Sequence, residues 1–166
     1  LGHCALGKGR LDEAKDYYEE AVNTSRELGD WENYLSARQW ASRAMVLRVE
    51  HSEDVVKRFE ELWNETRQKM ELGLSYLEKA AHILGDYSIS LALMERQRDV
   101  ENLLEERGWL LDLDEALSVA TRLALRYLGV GVKVPSDEKV LKVVGPYVVP
   151  ELLPALSEIL GIHMPV

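Results

Sequence analysis

Leu1–Ala21 reads LGHCALGKGRLDEAKDYYEEA, and this stretch decides the fold. Gly7 and Gly9 bracket Lys8, and glycines at a helix end permit the left-handed backbone that stops it. Leu11-Asp12-Glu13-Ala14 restarts a helix, with Asp12 placed to cap it and Glu13 suited to its positive N-terminal end. Ala14, Tyr18 and Ala21 are spaced by four and three residues and so share one face. Small side chains at 14 and 21 let a neighbouring helix come close, and Tyr18 fills the space between them. The stretch predicts the end of one helix, a glycine turn, and a second helix folded back on the first.

Working outward, the second helix runs over about 12–28 and stops at Gly29-Asp30. A third spans about 31–50, with Trp31, Tyr34, Leu35, Ala37, Trp40, Ala41, Ala44, Met45 and Leu47 covering more than half its circumference. A helix apolar over so wide an arc is sandwiched between neighbours. Ser52 caps the next helix, with Glu53 and Asp54 in its first turn. From Val55 to Leu84 one apolar stripe persists, and Gly73 inside it has no proline beside it. Glycine costs only about 1 kcal/mol in a helix interior. The pattern therefore predicts one long helix over 53–84, with a bend near Gly73 as the alternative.

Leu84-Gly85-Asp86-Tyr87 echoes Leu28-Gly29-Asp30-Trp31 and predicts a second junction there, followed by a helix over 87–107. Tyr76–Ala80 echoes Tyr17–Ala21 in the same way. Leu113-Asp-Glu-Ala116 repeats Leu11-Asp-Glu-Ala14 and opens a helix over 113–128. All five prolines lie at or beyond Pro135. Val130–Val134 reads as extended chain, Ser136 caps a short helix, and 147–160 (YVVPELLPALSEIL) is apolar enough to close the end of a stack.

Leu1, Gly2, Gly9, Ala14, Tyr18 and Ala21 stand at the spacing of the tetratricopeptide repeat, a 34-residue helix-turn-helix. The chain resembles that family over about one repeat. It departs from the family pattern at Ala5, where Tyr is preferred, and near Arg26, where the closing proline is missing. The resemblance implies an all-α fold: antiparallel helical hairpins stacked into a right-handed superhelix. Residues 1–129 would form the repeats and 130–166 a proline-containing helical cap packed on them. It further implies a non-catalytic scaffold that offers a groove to a protein or peptide partner. An alternative expectation is a C-terminal sensor or regulatory module of a larger signalling ATPase or transcription regulator. The chain opens mid-motif without Met, which reads as a fragment with another helix before it.

Composition narrows the classes. Net charge is −9 over 166 residues, which argues against nucleic acid as a partner, since counterion release needs a basic face. No run of 18 apolar residues suggests a membrane span, no signal peptide is visible, and a cytoplasmic location is expected. Cys4 is the only cysteine, so no intrachain disulfide forms. Asn23-Thr24-Ser25 and Asn64-Glu65-Thr66 match the glycosylation triplet but fall inside predicted helices and read as chance.

Motifs that would carry chemistry are incomplete. Gly2 to Lys8 has phosphate-loop spacing, but Gly9 stands where that loop needs Ser or Thr for magnesium, and only Leu1 stands here where the loop needs a buried strand before it. The helix-end reading accounts for these glycines without a nucleotide. His3-Cys4 would start a metal site, yet His51, His82 and His163 are scattered singly and no second cysteine exists. The Glu-x-x-His pattern of a di-iron bundle is absent: Arg48, Lys79 and Leu160 stand in its acidic position. The pairs Glu19-Glu20, Glu60-Glu61 and Glu105-Glu106 read as solvated helix faces, whereas acid–base work needs a carboxylate in an apolar cleft. No catalytic residue, metal or cofactor is therefore expected. The binding candidates are Arg38, Trp40 and Arg43 on the third helix, because Arg and Trp are enriched at hot spots and the first helix of each hairpin lines the groove. The competing reading makes Trp40 core and pairs the arginines with glutamates. The apolar C-terminal segment leaves room for a homodimer.

Overall fold

The structure is a computed structural model that describes residues 1–47, 52–133, 136, 139, 142 and 143. The fold is all-α. Seven α-helices occur among the described residues: α1 (Gly2–Gly7), α2 (Leu11–Leu28), α3 (Trp31–Leu47), α4 (Glu53–Gln68), α5 (Leu74–Leu93), α6 (Gln97–Arg107) and α7 (Glu115–Tyr127). Short 3-10 turns precede α5 (Met70–Leu72) and α7 (Gly108–Leu113). None of the described helices is long and apolar enough to cross a membrane.

The opening hairpin forms, but Asp12 does not cap α2: the helix begins at Leu11 with Arg10 at its N-cap, so Asp12 lies inside the first turn, and of the small residues on its face Ala14 is buried whereas Ala21 is exposed. Gly2 sits against the Tyr18 ring so closely that a Cβ there would lie 2.5 Å from the ring. Glycine is thus needed for the approach of α1 to α2. Ala5, Ala14, Tyr18 and Ala41 form a small apolar cluster of their own, which ties α1 to α2 and α3. Gly29 ends α2 with φ +69°, a left-handed cap, and Asp30 accepts from the Asn33 backbone at 3.3 Å to start α3.

The larger core is one continuous cluster that runs from Val22 and Leu35 through Phe59, Leu62, Ile83, Leu84 and Leu91 to Leu110 and Leu125. The apolar stripe of α4 supplies Val55, Val56, Phe59, Leu62, Trp63 and Thr66, all buried. Ser52 caps that helix by accepting from the Val55 N–H at 3.4 Å. Asp114 caps α7 by accepting from the Leu117 N–H at 3.1 Å.

The long helix over 53–84 is not formed. Gly73, with φ +152°, breaks the chain after Gln68. The junction expected at Gly85-Asp86 is not formed either: α5 runs through it to Leu93. Gly85 serves packing, since a Cβ there would meet Thr121 Oγ1 of α7 at 3.0 Å. The true exit from α5 lies at Met94-Glu95-Arg96, where Glu95 takes φ +59°. The helix over 87–107 thus divides into the end of α5 and the separate α6. The predicted cap over 147–160 and the end of the third helix past Leu47 lie outside the described residues. Of the stretch from 130 onward, Val130 is buried and Val132 packs on the core, and Ser136 Oγ accepts from the Lys139 N–H at 3.4 Å.

Helices α3 and α5 run parallel. Ser75 donates to Glu32, Lys79 Nζ donates to Ser36 Oγ at 2.7 Å, and Arg43 meets Asp86 at 2.8 Å. Each pair is separated by 43 residues, so the two helices advance together. The α4 helix packs against both, and α7 packs on α5.

Candidate functional site

The α2–α3 pair presents two faces. On α3, Asn33, Ser36, Ala37 and Trp40 recur at helical spacing and share one side, while Tyr34, Arg38, Ala41 and Ser42 share another. The first side, with α1 and one face of α2, bounds an open groove of about 770 Å³. Its α2 wall carries Tyr17, Tyr18, Ala21 and Thr24.

At the α1 end of this groove the rings are held in place by one another. The Tyr18 hydroxyl and His3 Nδ1 share a hydrogen bond of 2.7 Å. His3 stands edge-on to Trp40 with centroids 4.7 Å apart. Tyr18 stacks near Trp40 at 6.0 Å and 29°. The Arg43 guanidinium lies over Trp40 at 4.6 Å, a cation–π contact. Arg43 Nε and Nη2 also reach the two Asp86 oxygens at 3.1 and 2.8 Å, a bidentate geometry that fixes the guanidinium plane. Gln39 Nε2 donates to the same carboxylate at 3.0 Å. Burial pushes the Tyr18 hydroxyl above its ordinary pKa, with the Arg43 charge pulling weakly the other way. The ring is only 6 % exposed, so charging it there means removing an anion from water.

Of the three residues singled out from sequence, Trp40 and Arg43 belong to this cluster. Trp40 is half-buried and lines the groove; Arg43 backs it. Arg38 points to the other face of α3, where it pairs with Glu65 and donates to the Tyr34 hydroxyl at 3.0 Å. Both arginines hold partners within the chain. The Trp40 ring packs on the small apolar cluster of α1, α2 and α3 and lies along the groove.

The groove residues missed from sequence are the neutral ones: His3, Tyr17, Thr24, Asn33 and Ser36. Their spacing was available, because 33, 36 and 40 fall on one face of a helix and 17, 21 and 24 on one face of another. What hid them is that hydroxyls and amides on a helix surface look alike whether they face a groove or open water. Among the described residues no group of three or more His, Cys, Asp and Glu side chains could hold a metal ion. No family model, no curated protein and no solved structure matches the chain.

Proposed function

We propose that the chain is a non-catalytic protein-interaction module of tetratricopeptide-like type, and that the groove between α1, α2 and α3 receives a segment of a partner protein. The observation that carries this reading is the wall of Tyr17, Tyr18 and Trp40 beside Thr24, Asn33 and Ser36 in an open groove. The Tyr18 and Trp40 rings, held by their neighbours, lose little entropy on binding, and the Thr24 hydroxyl with the remaining hydrogen-bonding capacity of Asn33 and Ser36 suits a peptide backbone. The parallel advance of α3 and α5, with α4 against both, supports the stacked-hairpin part of the reading. The largest share of the groove's lining comes from α2, with α3 opposite and the start of α1 at one end.

Selection of peptides from a displayed random library against the whole chain tests the proposal. Binders are expected whose affinity falls about tenfold or more with Trp40→Ala, the loss of one anchoring ring. Thr24→Arg, at an exposed position in the groove wall, should block the same binders. Peptides that bind both variants as tightly as the parent, or a selection that yields none, would overturn it.

A further inference from the structure

The groove between α1, α2 and α3 is sorted by charge. The described residues that line it include two carboxylates, Glu20 and Asp30, and no Lys or Arg. Helices α2 and α3 are not short of cations, for they carry Lys15, Arg26, Arg38 and Arg43. Each is placed off the groove lining. Arg26 and Arg38 line the opposite side of the pair, together with Glu19 and Glu61, and Arg38 meets Glu65 there. Arg43 lies over Trp40 and is held by Asp86. Lys15 lines neither side.

The two groove carboxylates keep their charge. Glu20 is exposed, and among the described residues no ion pair or hydrogen bond engages it. Asp30 is fixed by neutral donors. The Asn33 backbone N–H reaches its Oδ1 at 3.3 Å, and Asn33 Nδ2 donates to its Oδ2 at 2.6 Å. Lys79 approaches only from the α3 wall, where its Nζ donates to Ser36 Oγ at 2.7 Å. The α2 wall stays acidic. On that wall Tyr17 stands three residues before Glu20, so the two side chains are neighbours on the helix surface.

We propose, resting on the groove as the binding surface inferred above, that the partner segment it receives is basic. A Lys or Arg of that segment lies with its aliphatic stem along Tyr17 and its charged head at Glu20, and Asp30 draws a further positive charge toward the α2–α3 turn. An acidic segment would set its charge against both carboxylates with no guanidinium or ammonium on the lining to receive it. The chain's net charge of −9 acts in the same direction at longer range. Exposed ion pairs add little affinity. The carboxylates therefore choose among segments and speed their arrival, while the Tyr18 and Trp40 rings anchor them.

Sequencing the peptides that the whole chain retains from a displayed random library tests this, with Lys and Arg counted against the input. Peptides whose retention is lost with Trp40→Ala should carry Lys and Arg about threefold or more above the input, and exchanging that Lys or Arg for Gln should weaken a selected peptide about threefold, the range of an exposed charge pair. The chain carrying both Glu20→Gln and Asp30→Asn should lose the enrichment. Glu27→Gln, which removes a charge from α2 outside the groove lining, should keep it. If the double variant does not fold, Glu20→Gln alone should cut the enrichment by about half. Peptides that depend on Trp40 but show no enrichment would overturn this inference and leave the groove itself standing. Enrichment that survives the double substitution, or that Glu27→Gln also removes, would overturn it as general attraction to an acidic chain. A selection without any peptide that depends on Trp40 would overturn both.

Discussion

Asp86 is the residue on which most of the polar structure between α3 and α5 converges. Its carboxylate is 12 % exposed and accepts from Arg43 twice and from Gln39 once. Asp86→Ala should cost about 1.5–3 kcal/mol in denaturant unfolding, because it leaves Arg43 and Gln39 unpaired near the core. The same change should free Arg43 and alter Trp40 fluorescence, since the guanidinium that backs the ring loses its anchor. Tyr18 gives a prediction in pH. Its folded-state pKa is raised above 10.0 by burial, so the neutral phenol is the form the fold prefers. The stability it contributes is intact below pH 10 and is lost as pH climbs through the folded-state value. Tyr87 is raised for the same first reason, burial, with Glu60 adding to it. Unfolding free energy should therefore fall above about pH 10, and Tyr18→Phe should fall less steeply, with Tyr87 accounting for the remainder. An equal slope in the variant would show that Tyr18 is not desolvated.

Two glycines at the element scale explain both what the sequence disclosed and what it concealed. Gly73 takes φ +152° and ψ +172°, a conformation reserved for glycine. Gly73→Ala should cost about 1–3 kcal/mol and lower the thermal midpoint measured by circular dichroism. Gly85 lies in the middle of α5 and makes room for Thr121 and Leu117 of α7. Gly85→Leu should cost about 1–3 kcal/mol by overpacking that crossing. The two sites look alike in sequence, each a glycine within an apolar stripe. The feature that separates them is α7, more than thirty residues further along, and no local pattern contains it. The exit from α5 was hidden for a related reason: Glu95 adopts φ +59° without glycine or proline to announce it. Glu95→Gly should therefore be neutral or stabilising, by up to about 1 kcal/mol, if exposed glycine relieves the left-handed strain. By contrast, α2 and the start of α3 were legible because Gly29 and Asp30 act through their own backbone and nearest neighbours. The site was legible only as far as its large residues. Trp40 and Arg43 stand out from any helix, whereas His3 matters through the Tyr18 hydroxyl fifteen residues away on another helix, a proximity made by the fold.

The molecule as a whole joins α3 to α5 differently on its two sides. Towards α4 the contact is apolar and continuous, with Leu35, Phe59, Leu62, Ile83 and Leu84 all nearly fully buried. Towards the outer side it is polar, through Glu32–Ser75, Ser36–Lys79 and Arg43–Asp86. Salt weakens partly exposed ion pairs and leaves apolar burial intact or strengthened. The outer side is thus a row of polar fasteners over an apolar seam, and of these three only Arg43–Asp86 is an ion pair for salt to screen. Raising ionic strength should loosen that pair while the seam holds, and the successive helices should fan apart slightly without melting. Small-angle scattering would register this as a rise in radius of gyration with helical content unchanged, and Asp86→Asn should lie part of the way there at low salt. The spacing of α3 and α5 on that side is in this sense expected to answer to the surrounding electrolyte.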